Sequence, residues 1–436
     1  MSIFKMAWRN VWRNYRRSVI TIAAMTIALV IELLYSGLVT GLIVGMEQDA
    51  IEIDTGDIQI STPTYLKKPS LYEVIEDHES IITQVETEGF RATERLFSGG
   101  LAASGESSAG VAFIGVDPVK DAEVLKLYAY VGEGAWLDDS VPLGVVIGRG
   151  LARTLDLELG SEVVVLSQAA DGSVANELFT VRGILMTVAA SMDRSTILMT
   201  ESTFRELMVL PEGAHKIILR RPEASELTVA GDTVRSMVGL PPAAEQNAVE
   251  LEAKIHAQAN PDAPPLEVPT YTVAVKTWKE LNPFLAQYIE GVQGMITILY
   301  LIVYLAVAIL ILNAMLMAVF ERIREFGVLK AIGYGPLKVA SLMMLEGMFQ
   351  AVVACVIGAI IAAPCMWYLS TYGINVGAIG GMEMSGLVMP VTWKSIYAVE
   401  TSGTPVFLLF FIVFFAVLYP AIKAAWISPV EAMHHQ

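Results

Sequence analysis

Cysteine is nearly missing from this chain: of 436 residues only Cys355 and Cys365 carry a thiol. Ten helical residues hold them ~15 Å apart, beyond the reach of a disulfide within one chain, so both read as core filling. Residues 47–283 contain no cysteine, which excludes a disulfide framework there. Charged residues are few, 17% against 54% hydrophobic, and mean hydropathy is +0.54. That balance excludes an ordinary soluble composition and points to an integral membrane protein. No Gly-Lys dipeptide occurs, so there is no phosphate-binding P-loop. His-Glu-x-x-His and Cys-x-x-Cys are absent too, and the five histidines (His78, His215, His256, His434 and His435) are scattered, leaving no metal pattern. Gly105-Glu-Ser-Ser-Ala-Gly110 is one residue too long for a nucleophile elbow, and no strand is expected to end before it. The chain is therefore expected to be no enzyme, with no catalytic residue, no metal site and no cofactor of its own.

What is present is apolar length. Four segments, Val19–Gly45, Met295–Phe320, Ala340–Leu369 and Val406–Ala425, are long enough to cross ~30 Å of hydrocarbon. The first is about twice the usual 7–15-residue core of a signal peptide and no small-residue cleavage site follows, so it is expected to be retained. Charge is unevenly placed. Between Glu47 and Pro283 lie 37 acidic and 18 basic residues, against 8 and 11 elsewhere. The cations cluster at Lys5, Arg9, Arg13, Arg16 and Arg17, at Arg322, Arg324, Lys330 and Lys338, and at Lys423. Short basic flanks stay in the cytoplasm. Both termini and the loop after the second span are thus expected inside, and the acidic region outside. That acidity argues against nucleic acid as a partner.

The expected fold is an α-helical integral membrane protein with four transmembrane helices and a large α+β extracytoplasmic domain inserted between helices 1 and 2. Residues 1–17 form a cytosolic interfacial helix, with Phe4, Trp8, Val11, Trp12 and Tyr15 on one face and Lys5, Arg9, Arg13 and Arg16 on the others. It serves either as a topological anchor or as a moving part. The first span with its stalk covers 18–54, the α+β domain 55–283, and a second stalk and span 284–320. A coupling loop occupies 321–338, the third span 339–371, a short outer loop 372–402, the fourth span 403–427 and a tail 428–436. In the domain, strands are expected at Gly56–Ser61, Val145–Ile147, Glu162–Ser167, Glu177–Leu185 and Ser195–Thr200. Asp171-Gly172 makes a hairpin turn, and helices are expected at Gly148–Gly160, closed by glycine, at Glu201–Met208 and at Glu223–Val238. Ala243–Pro265 reads as a surface excursion. From Phe284 to Phe326 nothing but two glycines interrupts a helix of ~65 Å, about twice the hydrocarbon thickness. The first helix is expected to continue through Glu47–Ile53. Such stalks either carry motion or act as passive tethers.

Two places carry candidate function. Glu32 sits at the middle of the first span, with Gly37, Gly41 and Gly45 spaced to let a second helix approach. A charge at that depth costs roughly 2.5–3.5 kcal/mol on insertion scales, so Glu32 should face the bundle interior or a wet cavity. It is either a hydrogen-bonded structural carboxyl or a group lining a path between subunits. The second place is the loop after the second span. Glu321, Arg322, Arg324 and Glu325 present both charge signs on a helical turn, and Ile323, Phe326 and Leu329 offer apolar knobs for a partner's groove. Gly333 can supply a left-handed stop and Pro336 can open the next helix. A tight hairpin needs only ~2–8 residues, and this loop is far longer, which favours docking.

Three stretches together resemble the MacB/FtsX-like permeases of ATP-binding-cassette transporters. They are Ala7-Trp-Arg-Asn-Val-Trp-Arg-Asn-Tyr-Arg-Arg17, Glu321–Gly333 followed by Met344–Gly347 (MLEG), and Tyr419–Met433 (YPAIKAAWISPVEAM). Gly148–Leu166 is similar to an outer-domain motif of that family, with Ser161-Glu162 where Gly-Asp is common. The resemblance implies that Arg322, Glu325, Gly327, Lys330, Ala331 and Gly333 belong to a coupling helix that contacts a separate ATPase dimer, which holds ATP and Mg. Glu321, Arg324, Phe326 and Leu329 complete that expected site. Length and layout look most like the lipoprotein-releasing (LolC/LolE-type) subunits. This implies a bacterial inner-membrane protein with a second permease, identical or sister, an envelope substrate such as a lipoprotein, and a periplasmic chaperone or adaptor as a further partner. MacB-like export and FtsX-like mechanotransmission are the alternatives.

Overall fold

The computed structural model describes residues 3–186, 190–259, 269–375, 383–384, 387–388 and 392–427. The tail 428–436, with His434, His435 and the end of the closing motif, lies outside these, as does most of the middle of the 372–402 loop. The chain forms two compact units, one of residues 1–45, 288–376 and 392–436, the other of residues 46–287 and 377–391.

Helix α1 (Ile3–Arg13) ends at Asn14, and α2 (Tyr15–Ala50) follows at once. Small Ala7 and Val11 are the buried side of α1, while Phe4, Trp8, Trp12 and Tyr15 stay largely exposed. Past Ala50 one wider turn, Ile51–Thr55, continues α2 until Gly56 leaves it at φ 64°. The expected continuation through Glu47–Ile53 is thus present.

The second unit contains the α+β domain. Its elements, in order, are β1 (Ile58–Ser61), α3 (Pro63–Lys67), α4 (His78–Thr87), β2 (Arg91–Ser104), β3 (Ser107–Val116), α5 (Pro118–Val124), β4 (Val131–Gly134), β5 (Gly144–Ile147), α6 (Arg149–Leu155), β6 (Glu162–Gln168) and β7 (Val174–Leu185). They continue with α7 (Ala190–Ser195), β8 (Thr196–Thr200), α8 (Glu201–Met208), β9 (Lys216–Arg220), α9 (Leu227–Met237), α10 (Ala243–Ala259), β10 (Ala274–Thr277) and α11 (Trp278–Leu281). The strands run β10-β1-β9-β2-β3-β8-β5-β7-β4, and β6 pairs with both β2 and β7. That extra pairing closes β2-β3-β8-β5-β7-β6 into a ring, which leaves no open edge. Leu96, Phe113, Val145, Val163, Phe179 and Ile197 fill one core, sealed by α6 and α8. Strands β10, β1, β9 and the start of β2 form a wing, on which α4 and α9 bury a second core with Ile60, Ala92 and Leu219. β2 belongs to both.

A cluster of buried polar and titratable groups marks the place where ring and wing meet. Glu94 of β2 faces His78 Nε2 of α4 at 3.1 Å and Arg205 Nη2 of α8 at 3.3 Å; Glu201 takes the same arginine at 2.6 Å. Burial above all, with the nearby Glu201 carboxylate, pushes Glu94 up to about 8. His215 Nδ1 accepts the Phe97 N–H at 3.2 Å and its Nε2 meets the Leu71 carbonyl at 3.1 Å; burial lowers its pKa to about 4. Fully buried Arg95 of β2 holds Asp121 through two bonds of 2.8 and 3.1 Å and reaches the Ile53 carbonyl at 3.4 Å. Tyr130 and Lys126 hold Asp49 and Glu52. Asp49 of α2 and Glu52, Ile53 and Asp54 of its continuation are therefore bonded into the domain.

Several sequence expectations change. α6 stops at Asp156, itself left-handed at φ 53°, and Gly160 turns the chain into β6 instead of closing the helix. α9 begins at Leu227, after Pro222 and the Ser225 turn, not at Glu223. Ala243–Ala259 is a helix rather than an irregular excursion, and residues 260–265 lie outside the described residues. A strand does end before Gly105: Gly105-Glu106 are the tip of the β2–β3 hairpin, where Ser104 pairs with Ser107. With no helix after it, this is still no nucleophile elbow.

α12 (Pro283–Glu321), α13 (Ile323–Ala331), α14 (Pro336–Thr371) and α15 (Val399–Trp426) complete the first unit. α2, α12, α14 and α15 are each long and apolar enough to cross a membrane. Their shared core includes Met25, Leu29, Tyr304, Met315, Met343 and Val413. Gly347 admits Val417 and Gly358 admits Leu29 at close range. The expected uninterrupted helix to Phe326 is instead broken at Arg322, whose backbone (φ −115°, ψ 16°) leaves helical geometry.

Candidate coupling site

The connection from α12 to α14 is built by its ends. Gly333 takes φ 98°, so that its own N–H bonds to the Lys330 carbonyl at 2.9 Å and Tyr334 N–H to the Leu329 carbonyl at 3.0 Å. This pair of bonds satisfies the last turn of α13, and glycine is the residue that reaches the conformation without strain. Pro336 then occupies the first turn of α14, where its missing N–H is harmless.

Glu321, Arg322, Glu325 and Lys330 of this segment are engaged by neighbouring elements. Arg322 donates from Nη1 to Glu346 Oε2 of α14 at 3.0 Å and from Nε to Glu325 Oε2 at 2.9 Å, and lies over the Phe326 ring. Arg13 of α1 bonds the other oxygen of Glu325. Arg17 and Asn14 reach Glu321 Oε2 at 2.9 and 3.2 Å. Lys330 donates to the carbonyls of Ala425 and, at 2.6 Å, Ile427, a cation at the negative end of α15. Burial is the largest single influence on Glu325 and works against its charge. Arg13 and Arg322 together outweigh it and hold the carboxyl below the ordinary glutamate value. Burial lowers the pKa of Lys330. The segment is thus tied to α1, α2, α14 and α15 and must move with them.

Its apolar groups divide differently from expectation. Phe326 is 0% exposed, Ile323 is buried, and Leu329 packs against the bundle core. None of the three is a free knob; Gly327 is also buried. The outward apolar groups are Val328, Ile332 and Leu337, exposed by 54, 74 and 83%, beside exposed Arg324, Ala331 and Gly333. Both faces of α13 carry branched apolar residues, so spacing alone could not tell inside from outside. Arg13, Arg17 and Glu346 were not singled out as site residues. The signal for Glu346 was available, a carboxylate in an apolar run just after a basic loop.

The chain matches the model of the MacB-like periplasmic core domain over residues 18–251, more than half its length, and that of the FtsX-like permease C-terminal region over residues 297–429. It belongs to the MacB/FtsX-like permease family. It is an ABC transporter permease of the MacB/FtsX/LolC type, a family of membrane subunits that are generally not catalytic. Among curated proteins it is 23% identical to the lipoprotein-releasing system transmembrane protein LolC of Neisseria meningitidis over 75% of this chain and 74% of that one. Among solved structures it is similar to the periplasmic region of MacB from Actinobacillus actinomycetemcomitans, with TM-score 0.33, 15% identity, and coverage of 55% of this chain and 94% of that one. The extracellular domain of the noncanonic ABC-type transporter YknZ from Gram-positive bacteria gives TM-score 0.31 and 14% identity over 43% and 96%.

In this permease the other candidate residues fall apart into two roles. Gly37 takes the Met366 side chain of α14 at close range, while the space beside Gly41 goes to another element. Residues Lys394–Ile396 cross them: a Cβ on Gly41 would fall inside the Lys394 carbonyl, and Ile396 N–H bonds to the Gly37 carbonyl at 3.0 Å. The space beside Gly41 is therefore used by an extended segment, whose thin backbone fits where a helix would not. Glu32 is 0% exposed, and among the described residues neither carboxylate oxygen has a hydrogen-bond partner. The hydrogen-bonded structural carboxyl is not what the fold contains. Among the described residues no group of His, Cys, Asp and Glu could hold a metal.

Proposed function

We propose that this permease couples a separate ABC ATPase dimer, which holds the ATP and Mg, to conformational work by its α+β domain on the outer side of a bacterial inner membrane. The observation that carries this reading is the segment 321–338: four helices clamp it through charge, while Val328, Ile332 and Leu337 face outward unclaimed by the core. A lever needs that division, rigid on its own side and apolar toward a partner. The basic flanks support cytoplasmic termini, and a second permease, identical or sister, completes the assembly. A photocrosslinker at Ile332 should capture a co-expressed ATPase; no capture with the ATPase present would sink the coupling role.

For cargo, likeness to the lipoprotein-releasing LolC over three quarters of both chains supports lipoprotein release toward the outer membrane, with a periplasmic chaperone or adaptor as acceptor. Depletion of the permease should then leave acylated proteins in the inner membrane. The FtsX-like match over residues 297–429 also supports a mechanotransmitting regulator of an envelope enzyme. Unchanged lipoprotein sorting, with a cell-wall hydrolase recovered on residues 47–283, would decide for that reading; drug sensitivity alone would favour MacB-like export.

A further inference from the structure

Glu32 lies in the middle of α2, covered on every side by the chain's own helices. Three hydroxyls near it are committed elsewhere. Ser36, one turn further along α2, donates to the Thr401 carbonyl at 3.1 Å; Pro405, four residues on from Thr401, brings no N–H to satisfy that carbonyl within α15. Tyr304 of α12 donates to the Pro405 carbonyl at 2.6 Å. Tyr300, one turn before Tyr304, has its hydroxyl on Ser36. Ser36 thus satisfies the carbonyl that Pro405 leaves open, and the Glu32 carboxyl receives no donor from any described residue.

Among the described residues no cation pairs with it. The titratable groups facing this place are Tyr300 and Tyr304 of α12, Tyr35 of α2 itself and, through Tyr304, Cys355 of α14. α15 brings the Thr401 and Pro405 carbonyls. Arg17 is fifteen residues back along the same helix, ~22 Å away, and engaged with Glu321. Lys394, on the segment crossing Gly41, is exposed. Arg322 is taken by Glu346. An isolated carboxylate in such surroundings discharges by taking a proton.

We propose that Glu32 is a proton-binding site at the centre of the bundle, loaded while α2 lies against α12 and α15 and emptied when they part. The charged form needs a donor, and the described residues of the packed bundle supply none. Separation of α2 wets the carboxyl, so one proton leaves with each opening. By linkage, alkaline pH then favours the open bundle and acid the closed one, by up to about tenfold in the equilibrium for each pH step over which the proton is exchanged. This holds whatever cargo or ATPase the permease serves.

The test uses the full chain in lipid nanodiscs. Infrared spectra of the wild type at pH 7 should contain a carboxylic-acid carbonyl band that Glu32→Gln removes. In a background with Cys355→Ser and Cys365→Ser, spin labels at Ile31→Cys and Leu301→Cys, both exposed on the bundle surface, read the α2–α12 distance. The wider distance should gain population between pH 6 and 9 in the wild type and stay level in Glu32→Gln. Absence of the acid band, or equal pH responses in the two proteins, overturns the proposal. Should Glu32→Gln fail to assemble, the wild type still decides. Dicyclohexylcarbodiimide adds to a protonated carboxyl in an apolar setting, so mass spectrometry finds Glu32 modified at pH 7 if it carries the proton and intact if it is a carboxylate.

Discussion

Arg322 and Glu325 show how two charges in one turn of chain differ in value. The Arg322–Glu346 pair is almost wholly buried, whereas Arg13 and Glu325 are about half exposed. Removing one member of a buried pair strands the other, at roughly 3–5 kcal/mol, whereas an exposed pair is worth about 0–1 kcal/mol. Glu346→Gln should therefore lower thermal stability in detergent far more than Glu325→Gln. Equal losses would mean that Arg322 finds another partner. The sequence showed both glutamates, but only the fold shows that α14 brings Glu346 beneath Arg322. A carboxylate in an apolar run marks Glu346 as special, but its partner is set by how α13 folds back on α14.

At the scale of elements, α13 works through its two faces. Phe326→Ala opens a cavity under the helix and should cost about 3–5 kcal/mol. Ile332→Asp changes only the exposed face and should leave membrane insertion and melting unaltered while abolishing co-purification of the ATPase. If Ile332→Asp instead unfolds the protein, the outward face is a packing surface. Gly41→Leu should displace Lys394–Ile396 and destabilise by about 1–3 kcal/mol, detectable as faster proteolysis of residues 392–398. Elements with a strong period were legible before the fold was seen: the four spans, the β6–β7 hairpin at Asp171-Gly172, and α8 with Thr200 capping its first turn. β2 and β3 were not. Their Gly, Ala and Ser side chains blur the alternation, because large ones will not fit: at Gly100 a Cβ would strike the Leu166 carbonyl of β6. Ring closure by β6 is a long-range pairing and left no trace in local spacing.

For the whole molecule, pH acts through groups that meet between ring and wing. Glu94 is raised from 4.5 to about 8, so the folded protein holds a proton that the unfolded chain gives up. Stability from this group is complete below pH 4.5 and lost as pH climbs toward 8. His215 falls from 6.5 to about 4, so the folded protein refuses a proton that the unfolded chain binds. Its contribution is present above pH 6.5 and lost as pH drops toward 4. Melting temperature of the intact permease should thus decline on both sides. Glu94→Gln should flatten the alkaline limb; an unchanged limb would place the titration elsewhere.

The strand β2 gives ring and wing one length of backbone, and Arg95 within it grips the continuation of α2. Neither lobe can tilt by itself without tearing ladder bonds in the other. Amide protons on both sides of Leu96 should accordingly exchange at one common rate, as a single cooperative block, so that any pull on the Ile51–Thr55 turn is shared by the ring and the wing.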